Sequence, residues 1–239
     1  MKVFTTTAAL LASLAAHSLA DANDEPSSDG RCCLCEQSKT DLATIFNTMA
    51  DSGLTVCRTW GFADLKEAGT APYNIVYQLW ENGKPTVNTG DNGLGYFDLV
   101  VAAAKAAGVK LVVPFVNNWS DYGGMGALPF AVHAWRPVAH LLFIVDVYVQ
   151  QLGGTYHDDF YTDETIKAAY KNFVKTFVER YADEETIMAW ELCNECRCAG
   201  SGTLKESGSC NTTTLTDWMT EMSSVSLDRC ACILFGTSI

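Results

Sequence analysis

Residues 163–195, DETIKAAYKNFVKTFVERYADEETIMAWELCNE, hold a helix and a strand in succession. Asp163 and Glu164 open the stretch with acidic residues suited to a helix N-terminus. Ile166, Tyr170, Phe173, Val174 and Phe177 then recur at three and four, which is the apolar side of an α-helix. Ile187 to Leu192 follow as a short apolar strand that ends in Asn194 and Glu195.

The same unit occurs twice upstream. Thr40 and Asp41 can cap a helix carrying Leu42, Ile45, Phe46 and Met49 and ending at Gly53, and Thr55 to Trp60 follow as a strand. Phe97, Val100, Val101, Ala104 and Ala107 line a second helix that Gly108 stops, and Lys110 to Val116 form an uninterrupted apolar strand. Strands apolar on both faces, alternating with helices, indicate a parallel sheet covered on each side. That leaves a doubly wound sheet or a (β/α)8 barrel. No Gly-rich turn follows any of the three strands. Each ends instead in polar or aromatic residues, Arg58-Thr59-Trp60, Asn117-Asn118-Trp119 and Asn194-Glu195, and a barrel gathers such groups at the carboxyl ends of its strands. The expected fold is therefore α/β, of the (β/α)8 TIM-barrel type, with a last readable helix over Leu215 to Ser224.

Outside these units the sequence bounds the setting. The 239 residues are 48% hydrophobic and 18% charged, an ordinary globular composition for one domain. Sixteen Lys and Arg against 28 Asp and Glu leave a formal charge of −12, which repels phosphate backbones and anionic lipid, so no nucleic acid or membrane partner is expected. Residues 1–20 read as a secretory signal peptide: Lys2, an apolar core around Ala8 to Ala16, and the small-x-small Ser18-Leu19-Ala20. The expected location is secreted and extracellular, where the ten cysteines form disulfides. The Cys193-x-x-Cys196-x-Cys198 spacing resembles half of a zinc site but lacks its partner motif, so no metal is expected. Residues 21–38 read as a polar tail followed by a region with no strand pattern. Segments 126–145 and 230–239 break the helix–strand rhythm, and the apolar run Val138 to Val145 is too short to span a bilayer.

Glu195 is the candidate proton donor, because partial desolvation in such a rim raises the pKa of a carboxylic acid towards neutrality; the plainer alternative is a solvated loop glutamate. CRTWGF at 57–62, LVVPFVNNWSDYGG at 111–124 and AWELCNECR at 189–197 together resemble the fungal endo-β-1,4-mannanases of glycoside hydrolase family 5. The resemblance implies that Glu195 is the general acid/base and that Asn194 holds the sugar 2-hydroxyl. It makes Arg58 a buried arginine keeping the catalytic carboxylates charged, and Trp60 and Trp119 sugar-stacking platforms. It further implies a neutral β-mannan substrate, no cofactor, and a monomer when completely folded.

Several departures accompany it. A retaining glycosidase needs two carboxylates about 5–5.5 Å apart. The family's nucleophile lies on a later strand, and none is found in this chain: Glu206 falls in a Gly/Ser-rich loop, Glu221 in a helix, and Glu191 reads as structural. Cys196 stands where the motif usually has Pro, and Cys193 where a small residue is usual. Residues 39–229 are thus expected to be about the N-terminal half of a barrel domain, inactive as it stands, with 126–145 an intron-derived insertion and 230–239 an atypical tail. Cys198 and Cys210 bracket the loop after Glu195 and are the expected disulfide. Of the two sequons, Asn211 is expected to carry glycan, whereas Asn118 sits at the proposed substrate rim. The alternatives are a β-glucanase of the same family and a non-catalytic secreted carbohydrate-binding protein.

Overall fold

The computed structural model describes residues 39–65, 75–119, 147–200, 202–227 and 233–234. The first helix, α1 (Lys39–Asp51), buries Leu42, Phe46 and Met49 and leads into strand β1 (Val56–Arg58). A short strand β2 (Asp64–Leu65) pairs with the hairpin β3 (Gln78–Glu81) and β4 (Lys84–Val87). Helix α2 (Leu94–Ala107) stops at Gly108, whose φ of 71° only glycine adopts easily and whose N–H returns to the carbonyls of Ala104 and Lys105. Strand β5 (Lys110–Pro114) follows, with the helices α3 (Val147–Gln151), α4 (Asp159–Thr162) and α5 (Glu164–Arg180) after it. Asp163 caps α5 by accepting hydrogen bonds from the backbone N–H groups of Thr165 and Ile166. Strand β6 (Ile187–Glu191), helix α6 (Thr212–Leu227) and strand β7 (Ile233–Leu234) complete the order.

Four strands form one parallel sheet in the order β1-β5-β6-β7. Spatial order follows chain order, so there is no reversal of the kind that defines a doubly wound sheet. Each step to the next strand passes through helix, which is barrel connectivity. The core is aromatic. Phe115 of the segment after β5 stacks on Trp190 of β6 with centroids 4.9 Å apart, and Phe177 of α5 packs edge-on against Phe97 of α2 and Trp190. A second cluster, Tyr148, Phe160, Tyr170 and Trp218, locks α3 to α6 together.

The structure amends several expectations. The strands are shorter than the apolar runs, and α6 is longer than Leu215 to Ser224. The β3–β4 hairpin was not anticipated, although Asn82-Gly83, with φ of 52° and 73°, is the tight-turn pair that marks such hairpins. Within the tail, Ile233 and Leu234 pair in parallel with Trp190 and Glu191; two residues are too few to leave a pattern in sequence. The expectations for 1–20, 21–38 and 126–145 lie outside the described residues. Among the described residues no helix is long and apolar enough to cross a membrane.

Candidate active site

The carboxyl ends of β1, β5 and β6 lie side by side, and the sheet continues one step past them. Asn117 and Asn194 form a parallel bridge, with the Asn194 N–H donating to the Val116 carbonyl at 2.7 Å and the Asn118 N–H donating to the Asn194 carbonyl at 3.0 Å. Arg58, the last residue of β1, reaches across. Its Nε donates to Oε2 of Glu191 at 2.7 Å and its Nη2 to Oδ1 of Asn194 at 2.9 Å. The Asn194 Nδ2 then donates to Oδ1 of Asn117 at 2.8 Å. Both ends of the Asn194 amide are therefore committed, which fixes its orientation.

Glu195 projects from this frame. Its Oε2 accepts a 2.7 Å hydrogen bond from the indole Nε1 of Trp119 and lies 3.5 Å from Nη2 of Arg197. The Arg197 guanidinium sits over the Trp119 ring, 5.2 Å from its centroid, so one face of that indole is already occupied. The Glu195 backbone is left-handed, with φ of 55°. Trp60 is half-buried, its ring stacked on Phe62 at 5.1 Å.

One expectation needs correction. Arg58 is not buried: its side chain is 39% exposed at the carboxyl end of β1, the edge strand of the described four-stranded sheet. Glu195 is half-buried, its side chain 41% exposed beside Trp119 and Arg197.

Beneath the rim lies a buried network that the sequence reading missed. Asn118 is fully buried, and its Oδ1 accepts from Nε2 of His157, the hydroxyl of Tyr161 and the N–H of Arg197, while its Nδ2 donates to the Ala199 carbonyl. The side chain thus ties the loop after β5 to the loop after β6. Burial holds the His157 imidazole neutral, its pKa down to about 4, despite the opposing pull of Asp158. Burial likewise pushes the Tyr161 phenol well above its ordinary range. Asn118 stood in the polar strand-end pattern and could have been flagged. His157 and Tyr161 come from the α4 region, where no local pattern marks them.

The cysteines around the site are paired. Cys198 and Cys210 are bonded with Cα atoms 5.6 Å apart, and so are Cys193 and Cys196, 5.8 Å apart. The sulfurs a zinc site would have used are therefore in cystines. Asn211 is exposed at the start of α6, its Oδ1 accepting from the N–H groups of Thr213 and Thr214.

The cellulase family, glycosyl hydrolase family 5, matches residues 41–225. The chain belongs to glycosyl hydrolase family 5. This family 5 chain is 42% identical over 200 residues to a probable mannan endo-1,4-beta-mannosidase C of Aspergillus terreus, and 39% identical over 183 residues to mannan endo-1,4-beta-mannosidase A of Aspergillus aculeatus. Each match covers 77% of the chain, which spans only 43% and 41% of those relatives' lengths. Among solved structures it resembles the endo-1,4-beta-mannanase from Rhizomucor miehei, with a TM-score of 0.72 and 30% identity over 87% of this chain and 54% of that one. The hyperthermostable endo-1,4-beta-D-mannanase from Thermotoga petrophila superposes with a TM-score of 0.63 at 33% identity, over 85% of this chain and 53% of that one. The fold is accordingly of the (β/α)8 type, with the four-stranded parallel sheet forming part of the barrel wall, and the family is one of glycosidases.

Proposed function

We propose that this chain carries the acid/base side of a retaining endo-β-1,4-mannanase site, with Glu195 as proton donor to the departing sugar oxygen and Asn194 as ligand of the 2-hydroxyl. The observation that carries the reading is the fixed pair at the end of β6: Asn194 oriented by Arg58 and Asn117, and Glu195 held by the Trp119 indole. Mannan as substrate is supported by the names of the relatives and by chemistry, since a neutral hydroxyl-rich polymer meets no repulsion from an acidic chain and lays its apolar ring faces on indole. Secretion is supported by two cystines among the described residues, which suit an oxidising compartment.

The retaining reaction requires a second carboxylate as nucleophile. Glu191 is engaged by Arg58, Glu221 is held by Lys167 and Lys171 on the α5–α6 face, and Glu206 is exposed in the loop before α6, so none of these three serves. The acid/base side alone is expected to bind mannan without cleaving it. Reducing-sugar release from galactomannan tests cleavage, and turnover abolished by Glu195→Gln would refute the expectation. Affinity electrophoresis tests binding. Retardation in galactomannan but not in carboxymethylcellulose supports the mannan reading, the reverse supports a glucan ligand, and retardation in neither removes the carbohydrate reading for this chain.

A further inference from the structure

The two residues at the centre of the site are bracketed by cysteines, in the chain order Cys193, Asn194, Glu195, Cys196. Cys193 and Cys196 are bonded to each other and lie in the core, at 2% and 4% exposure. The ring they close contains no other residues than Asn194 and Glu195, so both backbones are held from each side. That matters because Glu195 has a left-handed φ of 55°, a region that non-glycine residues seldom occupy. Its side chain is 41% exposed, so packing does little to keep it there.

The ends of the ring are anchored differently. On the amino side the Asn194 N–H is fixed to the Val116 carbonyl, and on the carboxyl side the Arg197 N–H is fixed to Oδ1 of Asn118. The cystine spans the stretch between these anchors, Glu195 and Cys196, which makes no main-chain hydrogen bond to the sheet among the described residues. We propose that the Cys193–Cys196 cystine is a positioning element that holds Glu195 in its left-handed conformation and so aims its carboxylate at the indole N–H of Trp119. Neither sulfur touches substrate. The functional meaning of this rests on Glu195 being the acid/base, whereas the geometry does not depend on any sugar.

The test reads the Trp119 indole Nε1–H resonance in the whole chain labelled with nitrogen-15, assigned by its disappearance in W119F. In the cystine-containing protein the carboxylate draws this proton downfield, and E195A moves it upfield. In C193A/C196A the same E195A substitution is expected to leave the resonance unmoved, while in a C198A/C210A control the displacement persists. The Trp190 and Trp218 resonances, from buried side chains, report that the core is intact. Should C193A/C196A fail to fold, the folded C198A/C210A protein is treated with a water-soluble phosphine. The phosphine gives two electrons to the Cys193–Cys196 cystine and leaves as its oxide with an oxygen from water, and the two thiols take up the protons. Loss of the Glu195-dependent displacement with the core resonances retained supports the proposal. A displacement that survives with Cys193 and Cys196 as thiols overturns it, as does alkylation of both in the untreated protein. Failure of mannan binding would leave this result standing, so the two readings fail separately.

Discussion

His157 offers the sharpest test of the network under the site. Its ring is fully buried against Asn118, and burial lowers its pKa from 6.5 to about 4. The folded chain therefore refuses a proton that the unfolded chain accepts. Above pH 6.5 both states are neutral and the group exerts no pH-dependent effect. As pH falls from 6.5 towards 4 the unfolded state takes up its proton first, and stability declines by about 1.4 kcal/mol per pH unit. The loss sums to about 3 kcal/mol by pH 4 and then levels off. The perturbation is His157→Gln, whose amide can still donate to Asn118 but does not titrate. Removing the imidazole costs about 1 kcal/mol at pH 7.5 through imperfect replacement of the hydrogen bond. The decisive quantity is the difference between wild type and variant, because His17, His133, His140 and every carboxylate titrate in both. Urea unfolding followed by tryptophan fluorescence at pH 7.5, 6.5, 5.5 and 4.5 measures it. The stability advantage of wild type should shrink, and then reverse, by about 2–3 kcal/mol across the series. A difference that stays constant with pH would refute a buried neutral His157.

Other outcomes follow from the same structure. Arg58→Ala removes the donors to Glu191 and Asn194; because the guanidinium is 39% exposed, stability should fall by no more than about 1 kcal/mol, while retardation in galactomannan is lost, and Arg58→Lys, which cannot bridge both acceptors, should not restore it. Opening the Cys198–Cys210 cystine in C198A/C210A should cost on the order of 2–3 kcal/mol in urea unfolding, and non-reducing peptide maps of the native chain should contain the linked peptide. Secreted from a eukaryotic host, the chain should lose mass on deglycosylation from the peptide bearing Asn211 and not from the one bearing Asn118. The first is exposed, and its cap to Thr213 and Thr214 uses the carbonyl oxygen that a glycan leaves in place, whereas the second is fully buried.

Much of this was legible in one dimension because burial imposes a period. Phe173, Val174 and Phe177 had to share a helical face, and Leu111 to Val113 had to be apolar whichever way they pointed, since a parallel sheet is covered on both faces. The polar strand ends were visible for the opposite reason: Arg58, Asn117 and Asn194 interrupt apolar runs where no helix has yet begun. The hairpin at Asn82-Gly83 is equally marked by its turn chemistry.

What chain order left open concerns partners far apart along it. Arg58 meets Glu191 and Asn194 across more than 130 positions, and Asn118 meets His157 across 39, and no local periodicity encodes such pairs. Local pattern named Asn194 and Glu195 as the chemical centre and placed them past the end of a parallel strand. The register of β1, β5 and β6 then chose their neighbours, aimed Glu195 at Trp119 and brought Arg58 to Glu191 and Asn194, because hydrogen-bonded pairing between strands sets distances that side-chain identity along one strand leaves free.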